Sequence, residues 1–203
     1  MHKHRLDALT DGIFAVAMTL LVIDLKLPET AAHMTTEAIL QGLADLLPKL
    51  ISWVISFLVL ALFWWGHSRA FHYVRQIDGK LVLINLLFLG AASFMPFASS
   101  LSGGHGSHFP AQVVYSATMA LNALAALALW RYVFRHPELC EPAMPLDAYR
   151  AAKLRIGLLI FISILACVIA WWIPAAGNTA FMLMMLTRPL SRLLLGKQAP
   201  LVA

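Results

Sequence analysis

The sequence predicts an all-α, polytopic membrane protein of six transmembrane helices with both termini cytoplasmic. Three observations carry that prediction. Apolar residues make up 61% of the chain against 12% charged. Apolar runs of spanning length recur from one end to the other, and the basic residues gather on alternate sides of them. A soluble domain of 203 residues has no use for so much apolar surface, and the mean hydropathy is +0.78. The net charge of +5 would suggest nucleic acid in a soluble chain. Here it belongs to cytoplasmic loops, so no nucleic-acid partner is expected.

The spans are expected at about 6–27, 48–67, 80–101, 111–133, 154–173 and 178–195, one six-helix domain over 1–203. The first is the unusual one. Its uninterrupted apolar stretch, Gly12 to Ile23, is too short for a hydrocarbon core about 30 Å thick. Extended from Asp7 to Leu27, at about 1.5 Å per residue, it does cross, and it then carries Asp11 and Asp24. Ionisable groups there face a bundle interior or a watery path rather than lipid. His2-Lys3-His4-Arg5 ahead of the apolar stretch has the outline of a signal peptide. Asp7 and Asp11 are out of place in such a leader, and no clear small-residue cleavage site precedes Pro28.

The acidic segment Glu29–Asp45 has the makings of a short outer helix. Pro48 to Gly66 forms the second span, with Trp53, Trp64 and Trp65, and aromatics of this kind suit interfacial belts. Leu81 to Leu101 is the third, with polar Asn85 and Ser93 and a Pro96 that should kink it. Ala111 to Trp130 is the fourth, with Asn122 as its strongly polar residue. Arg131–Arg155, holding Pro137, Pro142 and Pro145, reads as a short ordered inner connection. The charge-free run Ile156–Thr187 is too long for one crossing, and Pro174-Ala-Ala-Gly177-Asn178 supplies a turn near its middle. It splits into spans five and six, with Arg188 towards the cytoplasmic end of the sixth.

This topology puts 13 of the 15 basic residues inside, leaving only Lys26 and Lys49 outside. The positive-inside rule is met at every cytoplasmic segment. Cys140 and Cys167 are far apart and suggest neither a disulfide nor a metal site. His105-x-x-His108 is a metal pattern without a third ligand. No Ser/His/Asp group gathers in one span, so an enzyme is not expected, nor any cofactor or metal.

Helical spacing sorts the first span further. Val16, Leu20, Ile23 and Leu27 lie at i, i+4, i+7 and i+11, one stripe, with Thr19 and Asp24 at its border. Around an axis of four copies, such a stripe makes stacked apolar rings, a hydroxyl ring and an outer carboxylate ring. Apolar constrictions gate by dewetting, and carboxylate rings concentrate cations. The plainer reading is a stripe that packs on neighbouring helices. Arg5, Thr10, Asp11, His67 and Asn85 form a second constellation, all towards the cytoplasmic half. Asp11 can pair with His67 or with Arg5 while Thr10 and Asn85 fill the remaining hydrogen bonds. That describes an interhelical polar latch. A titrating His–Asp pair that modulates gating is the sharper alternative.

Arg5-x-x-x-Leu9-Thr10-Asp11-Gly12, followed by Ala15-Val16-x-x-Thr19-Leu20-Leu21-Val22, resembles the first-helix signature of the transmembrane protein 175 family, endolysosomal potassium channels and their prokaryotic relatives. Trp64-x-x-His67, Asn85 and Pro96-Phe97 add echoes of the same pattern. Leu9 and Thr10 stand where the signature has Phe and Ser. The single six-span unit is similar to the prokaryotic members, which are tetramers. The resemblance implies a potassium-preferring channel for potassium and other monovalent cations: a cofactor-free, multi-pass homotetramer in the inner cell membrane. By the same likeness Val16, Thr19, Leu20 and Ile23 would form the pore constriction and selectivity layer, while the spacing of Asp24 beside the stripe puts it at the outer mouth. The filter sequence of ordinary potassium channels, Thr-Val-Gly-Tyr-Gly, is absent. The alternative is a proton-coupled secondary transporter using Asp11 and Asp24, which would need a central pocket and commonly two related halves.

Overall fold

The computed structural model describes residues 3–27, 35–173, 180, 181 and 183, and among them the regular structure is helical. Seven α-helices follow one another: α1 Lys3–Leu20, α2 Thr36–Asp45, α3 Leu47–Tyr73, α4 Gly79–Ser93, α5 Met95–His105, α6 Phe109–Arg135 and α7 Leu146–Trp172. A tighter 3₁₀ turn, Leu21–Asp24, prolongs α1. Five stretches are long and apolar enough to cross a membrane, α4 and α5 counting together as one. The chain is a multi-pass membrane protein. The sixth expected span, 178–195, lies outside the described residues apart from Ala180, Phe181 and Leu183.

Each helix start has a local cause. Thr35 caps α2 by accepting from the Ala38 amide at 3.3 Å, and Glu37 sits in its first turn, where helix dipole and carboxylate attract. Pro48 and Pro110 occupy the first turns of α3 and α6, where a missing N–H costs nothing. Asp78 caps α4 through the Leu81 amide at 2.8 Å and also accepts from the Tyr132 hydroxyl of α6. That hydroxyl and the Leu81 amide hold the Asp78 carboxyl below its ordinary value.

Several helices outrun the apolar stretches that announced them. At 27 residues each, α3, α6 and α7 are about 40 Å long. Their extra turns carry Arg69 and His72, Arg131 and Arg135, and Arg150, Lys153 and Arg155. Arg and Lys are good helix formers, so the helix need not stop where the bilayer does. The inner connection expected over 131–155 therefore shrinks to residues 136–145. At the other extreme α1 ends sooner than the expected residue 27, tightening at Leu21 and losing regular structure after Asp24.

The third crossing is broken as Pro96 requires. Its two pieces meet at Phe94, whose amide reaches back to the Ala91 carbonyl, three residues away, at 3.3 Å. Asn122 of α6 donates to the same carbonyl at 3.0 Å, so the polar residue in the fourth span fastens the kink in the third.

α6 is the hub, touching α3, α4, α5 and α7, while α1 lies against α3 and α4. One apolar core joins Phe14, Phe63, Phe88, Met95 and Met119; a second gathers Leu6, Phe71, Leu81, Leu129 and Trp130. Between α3 and α5 the seam is small and hydroxylated. Ser56 donates to Ser99 at 2.8 Å and meets the Tyr115 hydroxyl at 2.9 Å, and a side chain on Gly103 would come within 3.4 Å of the Lys49 backbone. Small residues of this kind let helices approach closely in a membrane.

Asp78→Ala should lower the thermal midpoint in detergent by about 3 °C, the worth of one N-cap in a chain of this size. Because the folded carboxyl titrates below the unfolded one, its contribution is whole above the ordinary value of 3.8 and fades as the pH drops through the folded value. Thermal melts of both proteins at neutral and acid pH measure this. A gap between them that widened in acid would contradict it.

Candidate ion pathway on the first helix

The first helix has two chemically different sides. Leu6, Thr10, Phe14, Ala17 and Leu21 recur every three or four residues and are buried against α3 and α4. The opposite side holds Val16 at 56% exposure, Leu20 at 41% and Ile23 at 51%, together with exposed Thr19, and Asp24 is exposed at the end of the 3₁₀ turn. Among the described residues, the stripe expected from spacing is thus left largely uncovered. Leu27 falls beyond the helix and leaves the stripe. Thr19 donates its hydroxyl proton back to the carbonyls of Ala15 and Val16, at 3.0 and 2.9 Å. Its oxygen lone pairs therefore remain as acceptors.

The buried side is fastened by a directed chain of hydrogen bonds. Thr10 donates to the Leu6 carbonyl at 2.9 Å and accepts from the Asn85 amide nitrogen at 3.2 Å. Asn85 turns its carbonyl oxygen to His67 Nε2 at 2.7 Å, so Nε2 must carry the proton in this arrangement. The His67 ring lies stacked between Phe71, 4.1 Å away, and Phe88, 5.7 Å away. Three helices, α1, α3 and α4, meet in this one chain of donors.

Asp11 does something else. It is exposed and accepts from the indole nitrogen of Trp64 at 2.8 Å. Of the two partners expected for it, His67 is bound to Asn85, and Arg5 is exposed with no ion pair among the described residues. Three of the five polar residues thus meet directly, Asp11 joins α1 to α3 separately, and Arg5 stays apart. Beside them a polar cavity of about 320 Å³ opens between α1 and α3, lined by Asp7, Asp11, His67, Ser68 and His72 among others. Sequence reading missed Trp64 as the Asp11 donor, although its spacing from His67 puts both on one face of α3. It also missed the Ser56–Ser99–Tyr115 cluster, which small residues at 52, 56, 99 and 103 foreshadow by their four-residue spacing.

Known proteins are similar to this chain in sequence and in fold. A family model described as endosomal/lysosomal potassium channel TMEM175 matches residues 5–96, from the start of α1 into α5. A potassium channel of Streptomyces collinus is 35% identical over 159 residues, covering 76% of this chain and 75% of its own. The chain belongs to the TMEM175 family. Its fold is similar to that in the crystal structure of a lysosomal potassium-selective channel TMEM175 homolog from Chamaesiphon minutus, with a TM-score of 0.77 at 23% identity, over 93% of this chain and 97% of that one. An endosomal/lysosomal proton channel TMEM175 of Mus musculus is 23% identical, aligned with 96% of this chain but 42% of its own length. Family membership makes the chain an ion-channel protein, not an enzyme.

Asn85→Leu leaves the buried His67 donor without an acceptor and should cost about 2 kcal/mol, or about 6 °C in thermal midpoint. Adding His67→Phe should restore much of that loss, because removing both partners of a buried hydrogen bond is far cheaper than removing one. Additive losses in the double variant would show that the two side chains are not coupled.

Proposed function

We propose that this chain is a potassium-preferring cation channel in which four copies set their first helices around a common axis. The reading also takes both termini as cytoplasmic and the membrane as the inner cell membrane, in line with the basic residues. The observation that carries it is the unshared face of α1, where Val16, Leu20 and Ile23 stand exposed beside Thr19 and Asp24. Lipid would accept the three aliphatic side chains but not the carboxylate among them. A watery axis accepts both. Aliphatic rings would then form a constriction that opens by wetting, with the Thr19 oxygens as cation acceptors between the Val16 and Leu20 rings. Asp24 would sit at the outer mouth, where the negative ends of four α1 dipoles reinforce its charge. Arg5, Thr10, Asp11, His67 and Asn85 would surround the inner end, with the hydrogen-bonded Thr10, Asn85 and His67 keeping α1 from turning on its axis.

Potassium as the favoured ion follows the bacterial relatives, whose name is potassium channel, whereas the vertebrate relatives bear the name proton channel. No cofactor enters this reading. The transporter alternative needs Asp11 and Asp24 at one substrate site. They are 13 residues apart on one helix, about 20 Å, and Asp11 is engaged by Trp64.

Purified protein in planar bilayers should give a current reversing near the potassium equilibrium potential, with sodium a poorer permeant. Ile23→Ala or Leu20→Ala should raise that current by up to about tenfold, equivalent to about 1.4 kcal/mol off the barrier, and narrow the preference for potassium. Unchanged current and selectivity in both variants would reject the constriction, and a current tracking only the proton gradient would reject the potassium assignment.

A further inference from the structure

A second cavity, of about 150 Å³, opens between α3, α6 and α7, and no residue of α1 lines it. It reaches the ring of His67 at its floor, but its walls are apolar, with Val59, Leu62, Phe63, Ile156 and Leu159. At one end stand two half-buried guanidinium groups, Arg69 of α3 and Arg155 of α7. Arg69 lies three residues past Gly66, where the apolar part of α3 stops, and Arg155 immediately precedes the apolar part of α7 at Ile156. The two helices arrive at this level from opposite directions, so both cations mark the same membrane–water boundary. Val59 lies ten residues before Arg69, about 15 Å deeper.

Indole rings frame the charged end. Arg69 holds its guanidinium 5.9 Å from the centre of the Trp65 ring, and Trp130 is buried beside it. Arg155 also has interactions within the chain. Asp147 is the carboxylate at the rim, and it is exposed, leaving the groove with one positive charge in excess.

We propose that this groove holds an anionic phospholipid of the cytoplasmic leaflet, its phosphate between Arg69 and Arg155 and one acyl chain along Leu62, Phe63 and Ile156. Apolar walls of this depth give a free phosphate nothing to bind, whereas an acyl chain fills them. Guanidinium groups recognise phosphate oxygens through paired N–H donors, and basic pockets between transmembrane helices on the cytoplasmic side suit anionic headgroups. Arginine alone at an interface commonly turns towards water. Two arginines lining one groove, with Trp65 against Arg69, form a receptor instead. Apart from His67 at its floor, the site stands on different residues from the ion pathway, and it does not depend on what the channel conducts.

Native mass spectrometry of delipidated protein titrated with phosphatidylglycerol or phosphatidylcholine tests the site. Phosphatidylglycerol should be retained in preference. Arg69→Gln and Arg155→Gln should each weaken it about fivefold, and together about 25-fold, with phosphatidylcholine unchanged. Arg69→Lys with Arg155→Lys, which keeps both charges, should lose less than the glutamine pair. If the glutamine pair fails to fold, the single variants decide the matter. Equal retention of both lipids by the wild type would overturn the proposal. So would an equal loss in Arg131→Gln with Arg135→Gln, which would mean diffuse surface charge. Lipid binding indifferent to every variant, as expected if a neighbouring copy fills the groove, would overturn it too.

Discussion

The chain of hydrogen bonds from His67 through Asn85 to Thr10 fixes the rotation of the first helix, and much else follows from that rotation. A helix in a bilayer has little hydrophobic reason to prefer one azimuth, since lipid is as apolar as leucine. A polar group left unpaired there is expensive, so one buried network selects the angle that satisfies it. With Thr10 turned inward, Phe14, Ala17 and Leu21 must follow it by helical spacing into the cleft of α3 and α4. Val16, Thr19, Leu20 and Ile23 are then carried to the far side. The exposed stripe is the geometric complement of the latch.

The same economy operates twice more. Pro96 cannot donate to the carbonyl four residues back, that of Ala92, and the helix breaks at Phe94 beside it. Asn122 of α6 donates to the neighbouring Ala91 carbonyl, so the kink becomes a fixed angle rather than a hinge. Ser56, Ser99 and Tyr115 join α3, α5 and α6 with hydroxyls alone, and at Gly103 α5 lies close against Lys49 and Ser52 of α3. Buried polarity is spent at three helix contacts, each holding elements that lipid would leave free to slide.

Periodicity made the first helix legible, because three to four residues per turn place Val16, Leu20 and Ile23 on one line whatever surrounds them. Thr10, His67 and Asn85 were legible as polar residues in apolar spans that had to find one another. The partner of Asp11 was not. Arg5 and His67 are obvious mates for a carboxylate, but Trp64 shares a helical face with His67, and an indole N–H is a donor that hydropathy hides. Helix ends were misjudged for a related reason. Charged residues end an apolar count without ending a helix, so Arg69, Arg135 and Lys153 sit in regular turns beyond the boundary that composition suggests. The serine cluster was quiet because a hydroxyl in a helix can satisfy itself on a carbonyl four residues back, as Ser163 does on Leu159 at 2.9 Å. Nothing in one sequence tells such a serine from Ser56.

The first helix also limits how ions can be distinguished in the proposed tetramer. It stays α-helical to Leu20, so its carbonyls as far as Val16 are taken by its own amides and run along the helix, not across it towards an ion. Selection must come from side chains. Thr19 is suited to it because its proton is already committed to Ala15 and Val16, which leaves oxygen, not hydrogen, for a passing cation. Yet a single hydroxyl per subunit replaces few waters, and the aliphatic rings beside it replace none. An ion with a loosely held shell crosses such a barrier more readily than one that keeps its water tightly. This favours potassium over sodium by the cost of dehydration and not by the fit of a cage, and a preference of that origin is modest and falls as the aliphatic rings are widened.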